Sequence, residues 1–330
     1  MNKEQIEQIK SITSKIINKK SDKIISTWKE EEEPTKTDIT ILDNVLNGGL
    51  TQGITLIGGL SGYGKSTLSL NAACNIAHDE KANKKVIYFS LEMSENELIY
   101  KALSNILYNE FNKKLTYKEV RECYKTNKNI ADIEQAWSYY NEHIHNNLTI
   151  YGKDEIKPYI EDIVNIIEYT VKELKIKPII VFDYLQYCRT NSNYITSDKQ
   201  IYDKVSRGLL DVTNIHGLSA IVLSSLNRES YKQEKSIQAF KGSGDLEYSA
   251  VNCIILDKPS ADIEDKKYKQ DAERKVLLTC LKSRYGELKE EIIHYNAKYN
   301  SFEWRECKKD PTAAAETDTT EIKVATAKKR

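Results

Sequence analysis

Apolar positions follow two different rhythms along this chain. From residue 4 to 19, Ile6, Ile9, Ile12, Ile16 and Ile17 recur at helical spacing with charged and polar residues between them. That spacing predicts a short amphipathic helix, and its single apolar face needs a partner surface. The run KEEEEPTK at 29–36 then breaks the pattern with charges and a proline, and reads as a linker. Beyond it, short continuous apolar runs predict strands buried on both faces. These are ITLIG (54–58), KVIYFSL (85–91), NLTIY (147–151), PIIVFD (178–183), SAIVLSS (219–225), NCIILD (252–257), KVLLTCLK (275–282) and EEIIHYN (290–296).

Helical patterns separate the earlier runs, at 65–78, 94–109, 116–126, 129–143, 156–175 and 198–216. Ser94 with Glu97, and Thr116 with Glu119, have the spacing of capping boxes that open helices. Alternating strands and helices predict an α/β domain with a mainly parallel sheet. The last strands arrive with little helix between them, which predicts antiparallel additions at one edge. From Asp310 onward no apolar period remains, and that composition predicts disorder.

Composition narrows the function classes. Lys and Arg together number 49, equal to Asp and Glu, so any nucleic-acid contact has to come from a local patch. The cysteines at 74, 123, 188, 253, 280 and 307 form no C-x-x-C pair and sit mostly in apolar runs. They read as small buried residues of a reducing compartment. His143 and His145 read as exposed histidines at a helix end rather than as a metal edge. No apolar stretch approaches the ~18 residues of a membrane span. The N-terminus lacks the apolar core of a signal peptide, so a cytoplasmic location is the expectation.

The chemistry concentrates where the glycines do. The chain has 13 glycines, and GGLSGYGKST at 58–67 is their densest cluster. Gly59, Gly64, Lys65 and Ser66 satisfy G-x-x-x-x-G-K-[ST] between a predicted strand and a predicted helix. Backbone N–H groups without obstructing Cβ atoms can surround a phosphate there. Lys65 is placed for the β- and γ-phosphates and Ser66 for Mg2+, with Ser61, Gly62 and Thr67 completing the loop's nucleotide-binding set. Asp183 ends one strand where a carboxylate meets the Mg2+ shell, and Glu92 follows another where it can polarise an attacking water.

FSLEMSENEL, VFDYLQ, SSLNR and GSGDLE occur in that order, and with them the chain resembles the C-terminal ATPase domain of DnaB-type replicative helicases. The resemblance runs from about Thr37 to Trp304. It divides the chain into an N-terminal helix and linker (1–36), a RecA-like ATPase domain (37–306) and a tail (307–330). It implies a RecA-like P-loop NTPase that uses ATP and Mg2+ and moves 5′ to 3′ on single-stranded DNA. A homo-oligomeric, hexameric ring is implied too, with a primase or a helicase loader as further partners. The terminal helix would then pack on the neighbouring subunit.

By the same resemblance, Lys65, Ser66, Asp183 and Glu92 keep the roles given above, and Gln186 lies near the nucleotide. Lys282 and Arg284 in CLKSRYG match a K-x-R element that reaches the γ-phosphate of the adjacent subunit. KSIQAFKGSGDLE aligns with a DNA-gripping loop, which makes Lys241, Gly242 and Gly244 phosphate contacts, with Arg189 and Arg228 as weaker candidates. Ser225 stands where the family usually has glutamine, so altered coupling is expected. Only about 36 residues precede the domain, so a form without the family's N-terminal helical collar is expected, as in a phage, plasmid or other mobile-element protein. Two other readings stay open: a RecA-like mediator or loading switch that does not unwind DNA, and a small-molecule P-loop kinase.

Overall fold

Runs of four to seven apolar residues are too short to bury a helix, but paired side by side they form the middle of a sheet. The computed structural model describes residues 6–7, 9–10, 33–79, 83–192, 194–195, 197–227, 236–240, 244–260, 268, 270 and 271–302. Arg228, Lys241, Gly242, the tail and most of the 4–19 segment lie outside the described residues.

The strands are β1 (Gly53–Gly59), β2 (Val86–Ser90), β3 (Leu148–Tyr151), β4 (Ile179–Asp183), β5 (Ser219–Ser224), β6 (Asn252–Asp257), β7 (Glu273–Ser283), β8 (Glu290–Asn296) and β9 (Ser301–Phe302). They form one sheet in the order β3-β2-β4-β5-β1-β6-β7-β8-β9. Pairing is parallel from β3 through β6 and antiparallel from β6 to β9. The α/β class and the antiparallel edge are therefore as the pattern predicts. Every residue of β1, β2 and β4 is buried, because crossover helices cover both faces of a parallel sheet.

The helices are α1 (Thr40–Val45), α2 (Lys65–His78), α3 (Glu95–Asn109), α4 (Tyr117–Thr126), α5 (Ile130–Tyr140), α6 (Ile160–Lys172), α7 (Asp198–His216) and α8 (Gly244–Ser249). Both predicted capping boxes form: Ser94 caps α3 with Glu97, and Thr116 caps α4 with Glu119. At the domain's start, Thr35 and Leu50 exchange backbone hydrogen bonds of 2.8 Å, and Asn75 Nδ2 donates to Thr37 O at 3.0 Å.

Some details differ from the sequence reading. α6 begins at Ile160 rather than 156, because the residue before Pro158 is steered away from the helical region and Tyr159 is extended and bridges to Arg189. The helix at 129–143 ends its α geometry at Tyr140 and continues as a π turn, Asn141–His145. That turn leaves His145 exposed but half-buries His143, whose ring lies 4.6 Å from Tyr139 and 5.4 Å from His78, so the reading of two exposed histidines is corrected. Cys74, Cys123, Cys188, Cys253 and Cys280 are buried and unpaired, as their apolar settings predict.

Candidate active site

The phosphate loop is built by where its glycines stand. β1 delivers the chain to Gly59, and α2 starts at Lys65. Gly62 and Gly64 have φ of 85° and 89°, a left-handed conformation that side chains disfavour. A Cβ on Gly64 would also fall 2.7 Å from the Phe302 ring and 3.0 Å from Tyr295. Those rings stack at 4.3 Å, and β9 holds them there. Asn71 and Asn105 on α2 and α3 both donate to Asn300 O, and Phe302 N–H donates to Asn71 Oδ1. The last hairpin thus supports the loop from beneath. Lys65 Nζ donates to Gly59 O (2.7 Å) and Leu60 O (3.2 Å), folding the side chain back across its own loop.

Parallel pairing brings the acidic groups to the same edge. Asp183 ends β4 opposite Ser90 of β2 and is almost fully buried. Tyr88 OH donates to Asp183 Oδ2 at 3.0 Å and also meets Ser69 Oγ at 3.0 Å. Burial pushes the Asp183 carboxyl up; nearby Ser66, Tyr88 and Lys65 pull it down, while Glu92 pushes it further up. Oδ1 of this carboxylate is buried and has no hydrogen-bond partner. Ser66 is the hydroxyl beside this carboxylate, and it favours the charged form. A buried acceptor left open beside a hydroxyl at a phosphate loop is a donor set suited to Mg2+, which takes oxygen ligands and keeps waters.

Glu92 sits on the turn that follows β2 and is exposed to the cleft. Leu91 N–H donates to Asp183 O at 2.7 Å, and Ser90 Oγ both donates to Met93 O and accepts from Met93 N–H. These bonds fix the turn beside β4. The resulting cleft of about 350 Å³ brings together Gly59, Ser61, Gly62, Gly64, Lys65, Ser66, Thr67, Glu92 and Asp183, with Ser225 at the end of β5.

Four lining residues escaped the sequence reading: Lys101, Tyr184, Arg274 and Tyr295. Lys101 left a signal. It lies at helical spacing with buried Leu98 and Asn105, so a charge interrupts the buried side of α3. Arg274, at the start of β7, left none. Its Nη2 donates to Gly62 O at 2.7 Å, and its guanidinium lies between the rings of Tyr268 and Tyr295 at 5.2 and 5.1 Å.

Other predicted residues stand elsewhere. Gln186 does not line the cleft; its amide is buried behind Ser225. Lys282 and Arg284 occupy the opposite edge of the sheet. Ser283 pairs with Asn252 at the start of β6, whereas Gly59 pairs with Leu256 near its end. Four residues of strand separate the two levels, roughly 13 Å. Lys282 Nζ donates to Glu247 O and Tyr248 O, and Arg284 Nη2 donates to Tyr248 O, at the end of α8. Burial lowers the Lys282 ammonium; nearby Cys253 draws it back up and Arg284 lowers it further. Gly244 opens α8 rather than lying within a loop. Arg189 is exposed, but its guanidinium donates to Gln186 O and Cys188 O.

A phosphate loop at the carboxyl edge of a parallel sheet, facing an acid at the end of a nearby strand, defines a P-loop nucleotide-binding fold of RecA-like architecture. The family model for the DnaB-like helicase C terminal domain matches residues 35–304, and the chain belongs to that family. A probable replicative DNA helicase of Trieres chinensis is 22% identical over 270 residues, covering 79% of this chain and 55% of that protein. The replicative DNA helicase DnaB of Geobacillus stearothermophilus is 25% identical over 274 residues, covering 81% and 55%. The chain therefore spans about half the length of these curated relatives. The solved structure of a DnaB-like replicative helicase, described with its interactions with primase, has the same fold. Its TM-score is 0.67 at 19% identity, covering 86% of this chain and 67% of that one. Among the described residues no helix is long and apolar enough to cross a membrane.

Proposed function

We propose that this protein is an ATP-dependent DNA translocase of the DnaB type. It acts as a cytoplasmic replicative helicase that couples Mg-ATP hydrolysis between subunits to 5′ to 3′ movement on single-stranded DNA. One observation carries the proposal. Lys65, Ser66, Asp183 and Glu92 share one edge of the sheet, while Lys282 and Arg284 stand on the other. The two cations therefore lie far from their own chain's phosphates. A second copy, set edge to edge, brings them to a γ-phosphate, which is the arrangement of a ring.

The residues act on the nucleotide in complementary ways. Loop amides of 59–66 and Lys65 bind the phosphates; Lys65 exchanges its carbonyl partners for phosphate oxygens. Ser66 and the open Oδ1 of Asp183 would hold Mg2+, which neutralises phosphate charge when bound. Glu92 orients the attacking water and takes its proton. Arg284, with Lys282, stabilises the charge that develops on the transferred phosphoryl group. Tyr295 and Arg274 brace the phosphate loop from the side of the last hairpin. A domain spanning residues 37–306 carries this chemistry; DNA contact falls to the 241–244 stretch, with Arg189 and Arg228 at the side. Primase and loader are further partners that the family resemblance supports.

The test is ATP hydrolysis by wild type and Arg284→Ala, alone and mixed, with and without single-stranded DNA, across protein concentrations. Wild-type activity should rise with DNA and with concentration. Equal mixing with Arg284→Ala should suppress it beyond dilution. Hydrolysis indifferent to DNA, with a harmless Arg284→Ala, would sink the ring-motor reading.

A further inference from the structure

Lys101 is the cleft cation that the foregoing roles leave unused. It projects from the second turn of α3, whose N-terminus is capped by Ser94 and Glu97 immediately after the Glu92 turn. That capping box ties the helix that carries Lys101 to the turn that carries Glu92. The side chain is half-buried and lines the phosphate cleft with Glu92 and Asp183.

Its situation differs from that of the other cations. Lys65 is bonded to two loop carbonyls, Arg274 to Gly62 O, and Lys282 to the end of α8. No hydrogen bond or ion pair closes on Lys101 among the described residues. Desolvation lowers its ammonium, and the fields of Asp183, Glu92 and Glu97 draw it back up. A lysine gains little by lying unbonded in a half-buried cleft, because desolvation without a partner is unfavourable. A ligand anion on the acidic side of the cleft supplies that partner. Lys65 enters from the loop, whereas Lys101 enters from α3 beside Glu92. The phosphate nearest Glu92 in the proposed reaction is the terminal one.

We propose that Lys101 contacts the terminal phosphate of a bound nucleoside triphosphate and makes the cleft prefer triphosphate over diphosphate. The proposal rests on the nucleotide-site reading above. Removing the γ-phosphate removes the partner of Lys101 but leaves those of Lys65 and the loop amides. The residue thus distinguishes the states before and after hydrolysis within one subunit, separately from the cations of a neighbour.

The experiment measures binding of ADP and of a non-hydrolysable ATP analogue, with Mg2+, by calorimetric titration. It compares wild type, Lys101→Met, Lys101→Arg and Lys65→Ala, at concentrations where the protein is folded by circular dichroism. Loss of one charge-assisted bond should weaken the triphosphate analogue about tenfold or more in Lys101→Met and leave ADP within about twofold. Lys101→Arg should keep most of the preference. If Lys101→Met does not fold, Lys101→Gln carries the same comparison. An unchanged ratio of the two affinities in the neutral variant, or an equal loss for both nucleotides, overturns the proposal. If wild type binds neither nucleotide better than Lys65→Ala does, the nucleotide-site reading fails, and the proposal falls with it.

Discussion

Gln186 grips the end of β5 with both ends of its amide: Nε2 donates to Ser224 Oγ at 2.9 Å, and Oε1 accepts from the Ser225 N–H at 3.1 Å. Ser225 lines the cleft, so Gln186 acts on the site from behind it. Arg189 in turn donates to Gln186 O, which joins the 3-10 turn after β4 to the surface.

That arrangement separates support from contact. Gln186→Ala leaves the Ser225 N–H without its partner, which should cost about 1–3 kcal/mol of stability. Affinity for ADP should stay within about threefold, because no nucleotide contact is removed. Chemical denaturation and a binding titration on the same preparation check both. A large loss of affinity with unchanged stability would restore Gln186 to the nucleotide.

Asp183 shows the opposite trade. The metal-free protein buries a carboxylate that has one donor on Oδ2 and none on Oδ1. Asp183→Asn keeps the shape and removes the charge, so the metal-free variant should melt higher at neutral pH, by about 1–2 kcal/mol. Its ATPase activity should disappear, and Mg2+ should no longer add to the stabilisation that nucleotide alone provides. Calorimetric scans with and without Mg2+ read both effects. A variant that melts lower in the absence of metal would mean that Tyr88 already compensates the charge.

Much of this site was written in local sequence, and the rest depends on pairing. The phosphate loop was legible because its glycines answer a backbone demand at Gly62 and Gly64 that no other residue type meets as well. Asp183 was legible as the polar end of an apolar run. What a single pass along the chain does not contain is strand order. The 3-10 turn that follows β4 points the Gln186 amide at β5, whatever its distance from a motif. Only the antiparallel β6–β7 ladder puts Lys282 and Arg284 opposite the phosphate edge. Arg274 arrives from more than 200 residues away along the chain to bond Gly62 O. The short elements α1, α8 and β9 left no periodic trace, because two to six residues do not complete a pattern.

The capping box of α3 gives a pH signature. Backbone and side-chain hydrogen bonds from Ser94 hold the Glu97 carboxyl below its ordinary value near 4.5, with Lys153 adding to them. A depressed folded-state value means that the contribution is present above that ordinary value and is lost as pH falls through the folded one. Glu97→Gln should therefore cost about 0.5–1 kcal/mol at pH 7, and the difference from wild type should close at lower pH. Paired urea titrations at neutral and acidic pH measure this. A difference that persists unchanged in acid would place the effect in packing instead of charge.

The N-terminal segment supplies the last prediction. Ile6 and Ile9 are exposed, at 38% and 46%. On the domain, α3, α4 and α5 enclose a groove of about 260 Å³ lined by Ile99, Tyr100, Leu103, Tyr124 and Trp137. Tyr124 and Trp137 are exposed in the single chain, at 68% and 42%, so an apolar groove stands open to solvent. An isoleucine buried between subunits contributes roughly 1.5–3 kcal/mol. Ile9→Glu should then raise the concentration needed for assembly by about 10- to 100-fold. Trp137→Ala, on the other side of the same contact, should act in the same direction. Ile9→Glu should leave the melting of the dilute monomer close to wild type, whereas Trp137→Ala also loses its stacking on Tyr140 and should lower it. Sedimentation velocity over a concentration series, with nucleotide present, distinguishes the outcomes. If both variants assemble like wild type, the helix docks elsewhere and the groove has another occupant. If Ile9→Glu alone fails to assemble, the segment joins copies through a surface other than α3–α5.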